Sequence, residues 1–388
     1  MSARSRDLSE ATVIPTLLDW IKVEALPFWA THGWDKQRGG FHEKLALDAT
    51  PILTAPRRVR VQARQIYVYA HAYQLGWYPE GLQKALDGFH DLIRKAHRVD
   101  GHPGFVHLLS ADAEVLDARR DSYDHMFILL ASTWLARASG DGQIRAFVDE
   151  LLSFIDDELT DPFGYLLEGV PAQLPRRQNP NMHGFEAMIA LTETIQHPEG
   201  LARASRFLRL FDTKIYDRQN CYLREFLDDN WQALPPPIGT SIEPGHAVEW
   251  TWLLRRYETQ LGIAPSSIPS ALLDAALNTK NPLTGLLFDE VDISGIPRKR
   301  TSRTWPQAEL VKAWLCETEL GRAGAQFAAI KALGTLKQFY LDPAPPACWV
   351  DQVDETGRVI SDHIPASTFY HLFLAIAEAD RILTPTLT

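Results

Sequence analysis

Helical periodicity of hydrophobic and polar positions extends along almost the whole chain. Apolar residues recur at the three- and four-residue intervals of an amphipathic helix over residues 14–29, over about 60–75, and over 80–98. Between such segments lie short extended pieces that begin near a glycine, such as residues 39–45. The pattern predicts a mainly helical protein whose helices are joined by brief strand-like segments.

This order of elements recurs about every 60 residues. An aromatic residue marks the strand-like piece in each repeat: Phe41, Phe105, Tyr165, Tyr222, Phe288 and Trp349. Two helices and a loop of ordinary length fill roughly 60 residues, and a period of this size is typical of stacked helical units. Six such units predict an all-α fold, an (α/α)6 barrel with short β-hairpin loops at one end, formed by residues 1–388 as a single domain.

The second helix of each repeat carries a polar residue close to its N-terminus. We place these residues in one common register: Arg64, His125, His183, His246, Glu309 and His371. In a closed ring the equivalent ends of the inner helices meet at one mouth. The six side chains are therefore predicted to line a single cavity, and a space between facing helices is a usual ligand site.

The helix that starts at Pro244 has the most distinctive face. Proline suits the first turn of a helix, where its missing N–H has no partner to lose. His246, Glu249 and Trp250 follow at spacings that place an imidazole, a carboxylate and an indole on one side. The rest of this helix is apolar almost all round, which is typical of a helix buried inside a larger assembly.

Composition and charge exclude several classes of partner. The 388 residues carry a formal net charge of −10 and no long basic cluster, so neither nucleic acid nor an anionic membrane is expected as a partner. No stretch approaches the roughly 20 apolar residues of a membrane span, and no apolar segment follows the first seven residues as in a secretory signal. Three widely spaced cysteines suit a reducing compartment. We expect a cytoplasmic monomer or homodimer.

The polar residues suit acid–base chemistry on a hydroxylated ligand. Imidazole titrates near neutral pH, so one histidine can accept a proton while another donates one. Arg64 offers a fixed positive charge to a developing oxyanion. None of the four histidines has the local spacing of a helical zinc site, although a metal held from separate helices stays an open alternative. The chain also has no phosphate loop, dinucleotide fingerprint or nucleophile elbow.

Five motifs occur in a fixed order between about residues 39 and 378. They are Arg-Val-Gln-Ala-Arg-Gln at 60–65, Asn-Pro-Asn-Met-His at 179–183, Glu-Pro-Gly-His at 243–246 with Glu-Trp at 249–250, Thr-Trp-Pro-Gln-Ala-Glu at 304–309, and Pro-Ala-Ser-Thr-Phe-Tyr-His at 365–371. Together they resemble the N-acyl-D-glucosamine 2-epimerase superfamily, and within it most closely the branch of D-mannose (aldose–ketose) isomerases.

The resemblance implies an (α/α)6 barrel that acts on a monosaccharide without a metal or other cofactor. It implies that His246 moves a proton between C2 and C1, that His371 assists ring opening as the second acid–base group, and that Arg64 holds the carbonyl oxygen. The implied substrate-binding residues are Tyr123, Asn179, His183, Glu249, Trp305 and Glu309. His125 is not part of this implied set.

We therefore predict a metal-independent isomerase that interconverts D-mannose and D-fructose through a cis-enediol, with D-lyxose and D-xylulose as a further pair. With a histidine base, activity is expected to fall below about pH 6.5. The main alternative is a sugar 2-epimerase on the same scaffold, of the mannose/glucose, N-acylglucosamine or cellobiose type. A glycoside hydrolase would need paired carboxylates, and a sugar-binding module would bind without turnover.

Overall fold

Two concentric rings of helices make up the computed structural model, which describes residues 10–384. The inner ring consists of α3 (Val59–Gln74), α5 (Ser122–Ser139), α7 (Gln178–Ile195), α9 (Pro244–Leu261), α11 (Thr304–Glu319) and α13 (Phe369–Leu383). The outer ring consists of α1 (Glu10–Asp19), α2 (Leu26–Thr31), α4 (Gly81–Ala96), α6 (Gly142–Glu158), α8 (Gly200–Leu210), α10 (Ile268–Leu277) and α12 (Ala325–Leu336). The (α/α)6 barrel predicted from the repeat is confirmed.

The inner ring is closed by packing. Each inner helix contacts the next one along the chain, and α13 contacts α3. Each inner helix also packs against its own outer helix, and α1 takes that place for α13. Buried apolar side chains fill the space between the rings; Trp29 from the first outer segment stacks on Trp349 of the last repeat, with ring centroids 4.7 Å apart. The apolar periodicity of the sequence therefore produces one main core, beside which Ile242, Phe288 and Val291 form a small separate cluster.

The three helices predicted with both ends are present within a few residues of their expected bounds, and α9 begins at Pro244 as predicted. The first is longer than predicted and irregular, because α1 continues through a π-helical turn at Trp20–Ala25 into α2. Similar π turns follow α8, at Phe211–Ile215, and α12, at Lys337–Leu341. Short 3₁₀ turns at Ile238–Thr240 and Ala366–Thr368 lie just before α9 and α13. The single-domain prediction and the expected lack of a signal segment involve residues 1–9 and 385–388, which lie outside the described residues.

Very short antiparallel strands cover the end of the barrel where the inner helices begin. They are β1 (Lys44–Leu45), β2 (Arg57–Arg58), β3 (Leu108–Leu109), β4 (Val115–Asp117), β5 (Arg120–Asp121), β6 (Gly169–Val170), β7 (Arg176–Arg177), β8 (Tyr216–Asp217), β9 (Tyr222–Leu223), β10 (Phe226–Leu227), β11 (Ser241–Ile242), β12 (Glu290–Asp292), β13 (Pro297–Lys299), β14 (Ser302–Arg303), β15 (Gln352–Val353) and β16 (Ile364–Pro365). No helix among residues 10–384 is both long and apolar enough to cross a bilayer.

The strand before each inner helix pairs with a strand of the following repeat. These pairs are β2–β3, β5–β6, β7–β10, β11–β12 and β14–β15. The sixth pair, β16–β1, places Pro365 opposite Lys44 and so joins the last repeat to the first. The strand pairing therefore closes the ring at the end where the N-termini of the inner helices meet.

Amide side chains tie the strand-like pieces to the inner helices. Gln62 accepts a hydrogen bond from the backbone N–H of Phe41 at 2.7 Å and donates one to the carbonyl oxygen of the same residue at 2.8 Å. Asn181 does the same to Leu166, and Gln307 to Leu287. We call Gln62, Asn181 and Gln307 the amide clamps. Because backbone polar groups must be paired when buried, the clamps hold the loops over the mouth.

His125 occupies the equivalent clamp position in α5. Its Nε2 accepts the N–H of Phe105 at 3.0 Å and its Nδ1 lies 2.7 Å from the carbonyl oxygen of Asp121. The side chain is fully buried, and burial is the main reason that the pKa of His125 falls to about 4. The prediction that His125 lines the cavity is therefore wrong: both ring nitrogens are already used for structure.

Replacing a clamp is expected to destabilise the barrel. Gln62→Met keeps the side-chain volume but leaves the buried N–H and C=O of Phe41 without partners, at a cost of roughly 1–3 kcal/mol for each group. The free energy of unfolding, measured by urea titration, should fall by at least about 2 kcal/mol. Gln83→Met on the exposed face of α4 is the matched control and should change it by less than about 0.5 kcal/mol. Equal effects of the two substitutions would contradict the clamp.

Candidate active site

A polar cavity of about 730 Å³ opens at the end of the barrel where the inner helices begin. This volume lies within the range of small-molecule sites, roughly 300–1,000 Å³. Residues from all six inner helices contribute to its wall. Among them are the predicted residues Arg64, Tyr123, Asn179, His183, His246, Glu249, Trp305 and His371. The ring therefore brings together side chains that are up to about 300 positions apart in the sequence.

Two positions on each inner helix face the barrel axis, one helical turn apart. Each is counted from the N-terminal capping residue, which for α13 is the cap of the 3₁₀ turn before it; the two positions are the second and the sixth residue after the cap. The pairs are Arg60 and Arg64, Tyr123 and Phe127, Asn179 and His183, Gly245 and Glu249, Trp305 and Glu309, Ser367 and His371. The common register predicted for His125 and His246 is therefore wrong, because Phe127 and Glu249 hold those places. His246 reaches the cavity from a different side of α9.

Each of the three histidines that reach the cavity from an inner helix is held by a buried carboxylate. Nδ1 of His183 lies 2.8 Å from Glu186, Nδ1 of His246 lies 2.9 Å from Glu225, and Nδ1 of His371 lies 2.7 Å from Glu309. All six side chains are buried. Since Nδ1 is used in every pair, Nε2 is the nitrogen left for a ligand. The cavity therefore presents three oriented imidazoles rather than three freely rotating ones.

The imidazole of His246 has a strongly negative environment. Burial disfavours its charged form, but the carboxylates of Glu225, Glu243 and Glu249 outweigh this effect and raise the pKa of His246 to about 9. At neutral pH His246 is therefore an imidazolium, whose Nε2–H can donate a proton or a hydrogen bond into the cavity.

The negative charge around His246 results from a difference at the helix cap between the fourth repeat and three of the others. In three repeats a carboxylate accepts both the backbone N–H of a helix-capping arginine and its guanidinium: Glu43 with Arg58, Glu168 with Arg177, and Asp289 with Arg303. In the fourth repeat the capping residue is Glu243. Glu225 still accepts the N–H of Glu243, at 3.2 Å, but there is no guanidinium to neutralise it. Its second oxygen binds His246 instead.

The carboxylate of Glu309, which binds His371, is neutralised by Lys312. Lys312 is completely buried; its Nζ lies 2.6 Å from Glu309 and 3.9 Å from the centroid of the Trp252 ring. Burial raises the pKa of Glu309, and the ammonium of Lys312 opposes this by stabilising the carboxylate. Burial, together with the charges of Arg64 and Lys312, lowers the pKa of His371 well below its usual value. His371 is therefore a neutral imidazole at physiological pH.

Glu309 does not reach the cavity. Its carboxylate is fully buried, and its two oxygens face His371 and Lys312. Glu309 is thus the one predicted site residue that is absent from the cavity wall, and its predicted contact with a substrate stays a prediction. The residue acts on the cavity through the orientation of His371.

Arg64 is a buried cation without a carboxylate partner among the described residues. Its guanidinium donates a hydrogen bond to the hydroxyl of Tyr123 at 2.7 Å, and its carbon lies 4.1 Å from the centroid of the Phe127 ring. Its Nε has no hydrogen-bond acceptor in the structure. A desolvated arginine with unused donors is suited to bind an oxyanion in the cavity.

Other cavity groups are suited to a hydroxylated ligand. Among the described residues Asn179 Oδ1 and Glu249 Oε1 are buried acceptors without hydrogen-bond donors, although Nε2 of His183 lies 3.8 Å from Glu249 Oε1. Burial, followed by the negative charge of Glu309, raises the pKa of Glu249 well above its usual range. Trp305 lies between the two imidazoles, 5.2 Å from His246 and 5.6 Å from His371 between ring centroids. Trp305 thus offers a flat surface between an acid and a base.

Three supporting groups, Glu186, Glu225 and Lys312, were not predicted from the sequence. One signal for Glu225 was present in the repeat: Glu43, Glu168 and Asp289 each stand two residues after the residue that an amide clamp holds, Phe41, Leu166 and Leu287. An acidic residue at that position, with a glutamate in place of arginine at the helix cap, marks the fourth repeat as different. Lys312 gives no such signal, because an isolated lysine on a helix is usually exposed.

Three groups of described residues bring imidazole and carboxylate atoms within 4.8 Å of one another: His107 with Asp121 and Asp124, His183 with Glu186 and Glu249, and Glu249 with Glu309 and His371. In two of them a protein cation already contacts a carboxylate, Arg60 at Asp124 and Lys312 at Glu309. Lysine and arginine thus supply positive charge where a metal would. The metal-independence expected from the sequence stays a prediction.

Glu225→Gln is expected to lower the pKa of His246 from about 9 by at least about one unit. The substitution removes the closest negative charge while Glu243 and Glu249 remain. NMR titration of ¹⁵N-labelled histidine measures this directly and does not depend on activity. Glu168→Gln, at the equivalent position beside Arg177, is the matched control and should leave the His246 titration in place. An unchanged pKa of His246 in Glu225→Gln would contradict an electrostatic origin of its raised pKa.

Comparison with known proteins places this site in a family. The model of the N-acylglucosamine 2-epimerase family matches residues 39–375. Mannose-6-phosphate isomerase of Rhizobium meliloti (strain 1021) is 31% identical over 386 residues, covering 95% of this chain and 96% of that protein.

Solved structures show the same fold. The crystal structure of a D-mannose isomerase has a TM-score of 0.82 at 19% identity and covers 98% of this chain and 100% of its own. Cellobiose 2-epimerase from Spirochaeta thermophila DSM 6192 has a TM-score of 0.84 at 21% identity and covers 98% of this chain and 99% of its own. The chain belongs to the N-acylglucosamine 2-epimerase family and is an enzyme of the sugar isomerase and epimerase type.

Proposed function

We propose that this enzyme interconverts D-mannose and D-fructose, with D-lyxose and D-xylulose as a further pair, by metal-independent proton transfer through a cis-enediol. The observation that carries the proposal is the pair of imidazoles on either side of Trp305, one charged and one neutral, in a cavity that also contains Arg64. Aldose–ketose isomerisation needs a base for a carbon-bound proton, an acid for the carbonyl oxygen and stabilisation of the enediolate. These three groups meet the three needs.

The charge states favour acid and base roles for His246 and His371 that are the reverse of those implied by the family resemblance. The neutral His371 is the better base at physiological pH, and the imidazolium of His246 is the better acid. His371 takes the proton from C2 of the open-chain aldose, while His246 protonates the carbonyl oxygen at C1. Arg64 stabilises the negative charge that develops on oxygen. His371 then returns its proton to C1, and His246 recovers one from the hydroxyl at C2, which leaves the ketose.

Ring opening precedes these steps because the cyclic sugar has no acidic C2–H. His246 is placed to protonate the ring oxygen of the sugar. Asn179 and Glu249 hold hydroxyl groups with their unused acceptor atoms. Tyr123 and Trp305 shape opposite walls of the cavity, and His183 presents a third Nε2 between them.

A 2-epimerase is the second candidate function, since the family contains N-acylglucosamine and cellobiose 2-epimerases. Both reactions begin with removal of the C2 proton, and they differ in where the proton returns. Incubation with D-mannose and chromatographic separation of the products decides between them. Fructose as the main product supports the isomerase; glucose without fructose would favour the epimerase.

The Rhizobium meliloti relative is named for mannose 6-phosphate, so a phosphorylated aldose is the second substrate to test. The transferred atoms are the same for the free and the phosphorylated sugar. The two differ only at the far end of the chain from C1 and C2.

His246→Ala and His371→Ala are each expected to lower kcat for mannose by at least about a hundredfold, because general acid and base groups usually contribute that much or more. Initial rates of fructose formation provide the measurement. His125→Gln is the matched control, since glutamine performs the same clamp role in α3 and α11. It should retain activity within about threefold. Near-normal turnover in either alanine variant would remove that histidine from the mechanism.

The pH dependence of kcat/KM follows from the two charge states. The reaction requires His246 protonated, so activity is lost as the pH rises through about 9, the pKa of His246. It also requires His371 neutral, and because the pKa of His371 lies well below 6.5 no loss is expected near pH 6.5. This replaces the fall below about pH 6.5 expected from an unperturbed histidine base. An acid limb centred near 6.5 with a plateau beyond pH 9 would restore His246 as the base.

A further inference from the structure

The reacting end of the substrate is fixed by the two imidazoles. His246 is on α9 and His371 is on α13, and Trp305 on the intervening α11 separates them. In a ring of six inner helices, α5 lies across the axis from α11. A sugar whose C1 and C2 lie beside Trp305 therefore extends its far end toward the side of the cavity formed by α5 and the loop before it.

The residues on that side include a cation with unused donors. Arg119, two residues before the cap of α5, is part of the cavity wall and only partly exposed. Its Nε has no partner, its NH1 donates to Gln173 at 2.8 Å, and its NH2 lies 3.6 Å from Asp121 and 3.7 Å from Asp117. Those two carboxylates are too far away for direct hydrogen bonds. These two longer ion pairs compensate the positive charge of Arg119 in part, while its Nε keeps a donor without an acceptor.

Most of the arginines in the cavity wall are already paired. Among the described residues, six arginines line the cavity: Arg58, Arg60, Arg64, Arg119, Arg177 and Arg303. Four of them donate hydrogen bonds to carboxylates, which in chain order of the arginines are those of Glu43, Asp124, Glu168 and Asp289. Arg64 and Arg119 have no carboxylate at hydrogen-bond distance, so they are the two best suited to bind an anionic group.

The space beyond Arg119 is also open. A second groove of about 650 Å³ adjoins the cavity, and Arg119 and Gln173 belong to the walls of both. In this groove Arg120 is paired with Asp100 by two hydrogen bonds of 2.6 Å, whereas Arg119 makes only longer ion pairs with Asp117 and Asp121. The junction therefore has room for a substituent larger than a hydroxyl group.

We infer that Arg119, with Gln173 beside it, forms an anion subsite that binds the phosphate at C6 of a 6-phosphorylated aldose. The guanidinium donates to phosphate oxygens, which are acceptors only, and the amide of Gln173 adds a further donor. This inference rests on the proposed isomerase function, because it takes the position of C1 and C2 from the two histidines. It identifies the phosphorylated sugar as the preferred substrate.

The test compares kcat/KM for mannose 6-phosphate and for mannose in four proteins. Wild type should prefer mannose 6-phosphate. Arg119→Met should reduce this preference by roughly ten- to a hundredfold, which is the usual effect of losing a charged hydrogen bond. Gln173→Glu, at an exposed loop position, should reduce it too by placing a negative charge beside the phosphate. Arg300→Met is the matched control: Arg300 is an exposed arginine at the same end of the barrel, paired with Glu355 and outside the cavity, and its loss should leave the preference unchanged.

The outcomes separate this inference from the proposed function. Turnover of mannose without preference for the phosphate, or a preference that survives Arg119→Met, overturns the subsite while the isomerase function stands. Absence of turnover with either sugar overturns both. An effect of inorganic phosphate on mannose turnover, lost in Arg119→Met and without any preference for mannose 6-phosphate, would assign the site to a free anion instead. A greater kcat/KM for a β-1,4-linked disaccharide than for mannose 6-phosphate would assign the groove to a second sugar ring.

Discussion

The missing guanidinium beside Glu225 is the constraint on which the chemistry of this barrel depends. Three equivalent carboxylates, at 43, 168 and 289, are neutralised by capping arginines. Beside Glu225 the capping residue is Glu243, and the positive charge that pairs with Glu225 is the imidazolium of His246. On the other side of Trp305, Lys312 neutralises the partner of His371. A difference in one charged neighbour thus makes two similar histidines into an acid and a base.

The rest of the fold makes this difference useful. The amide clamps and the strand pairs between neighbouring repeats hold the loops and the helix N-termini in a fixed ring. Each histidine is fixed through Nδ1, so the reacting nitrogens point into the cavity without loss of side-chain freedom on binding. The cost is a set of buried charges, which remain tolerable because they are paired across helices. The same repeated unit therefore fixes the positions of the histidines and makes their charges different.

Much of the fold was predictable because it depends on periodicity. The 60-residue repeat predicted six helical hairpins, and the motifs around His246 and His371 predicted which residues would meet in the cavity. The failures concern positions whose role is set by one local contact. His125 was placed in the cavity because its sequence position looks equivalent to that of His183, yet its nitrogens bind the backbone. The charge of His246 and the burial of Glu309 depend on partners 21 and 62 residues away in sequence, Glu225 and His371, which local spacing cannot reveal.

The proposed mechanism requires a proton to pass from C2 to C1 through the imidazole of His371. Isomerisation of D-mannose in deuterated water, followed by NMR of the ketose, measures this directly. We predict D-fructose that carries solvent deuterium at C1, because a proton held on an imidazole can exchange with solvent before it returns to carbon. Fructose that stays free of solvent deuterium over repeated turnover would contradict proton transfer through an exchanging imidazole.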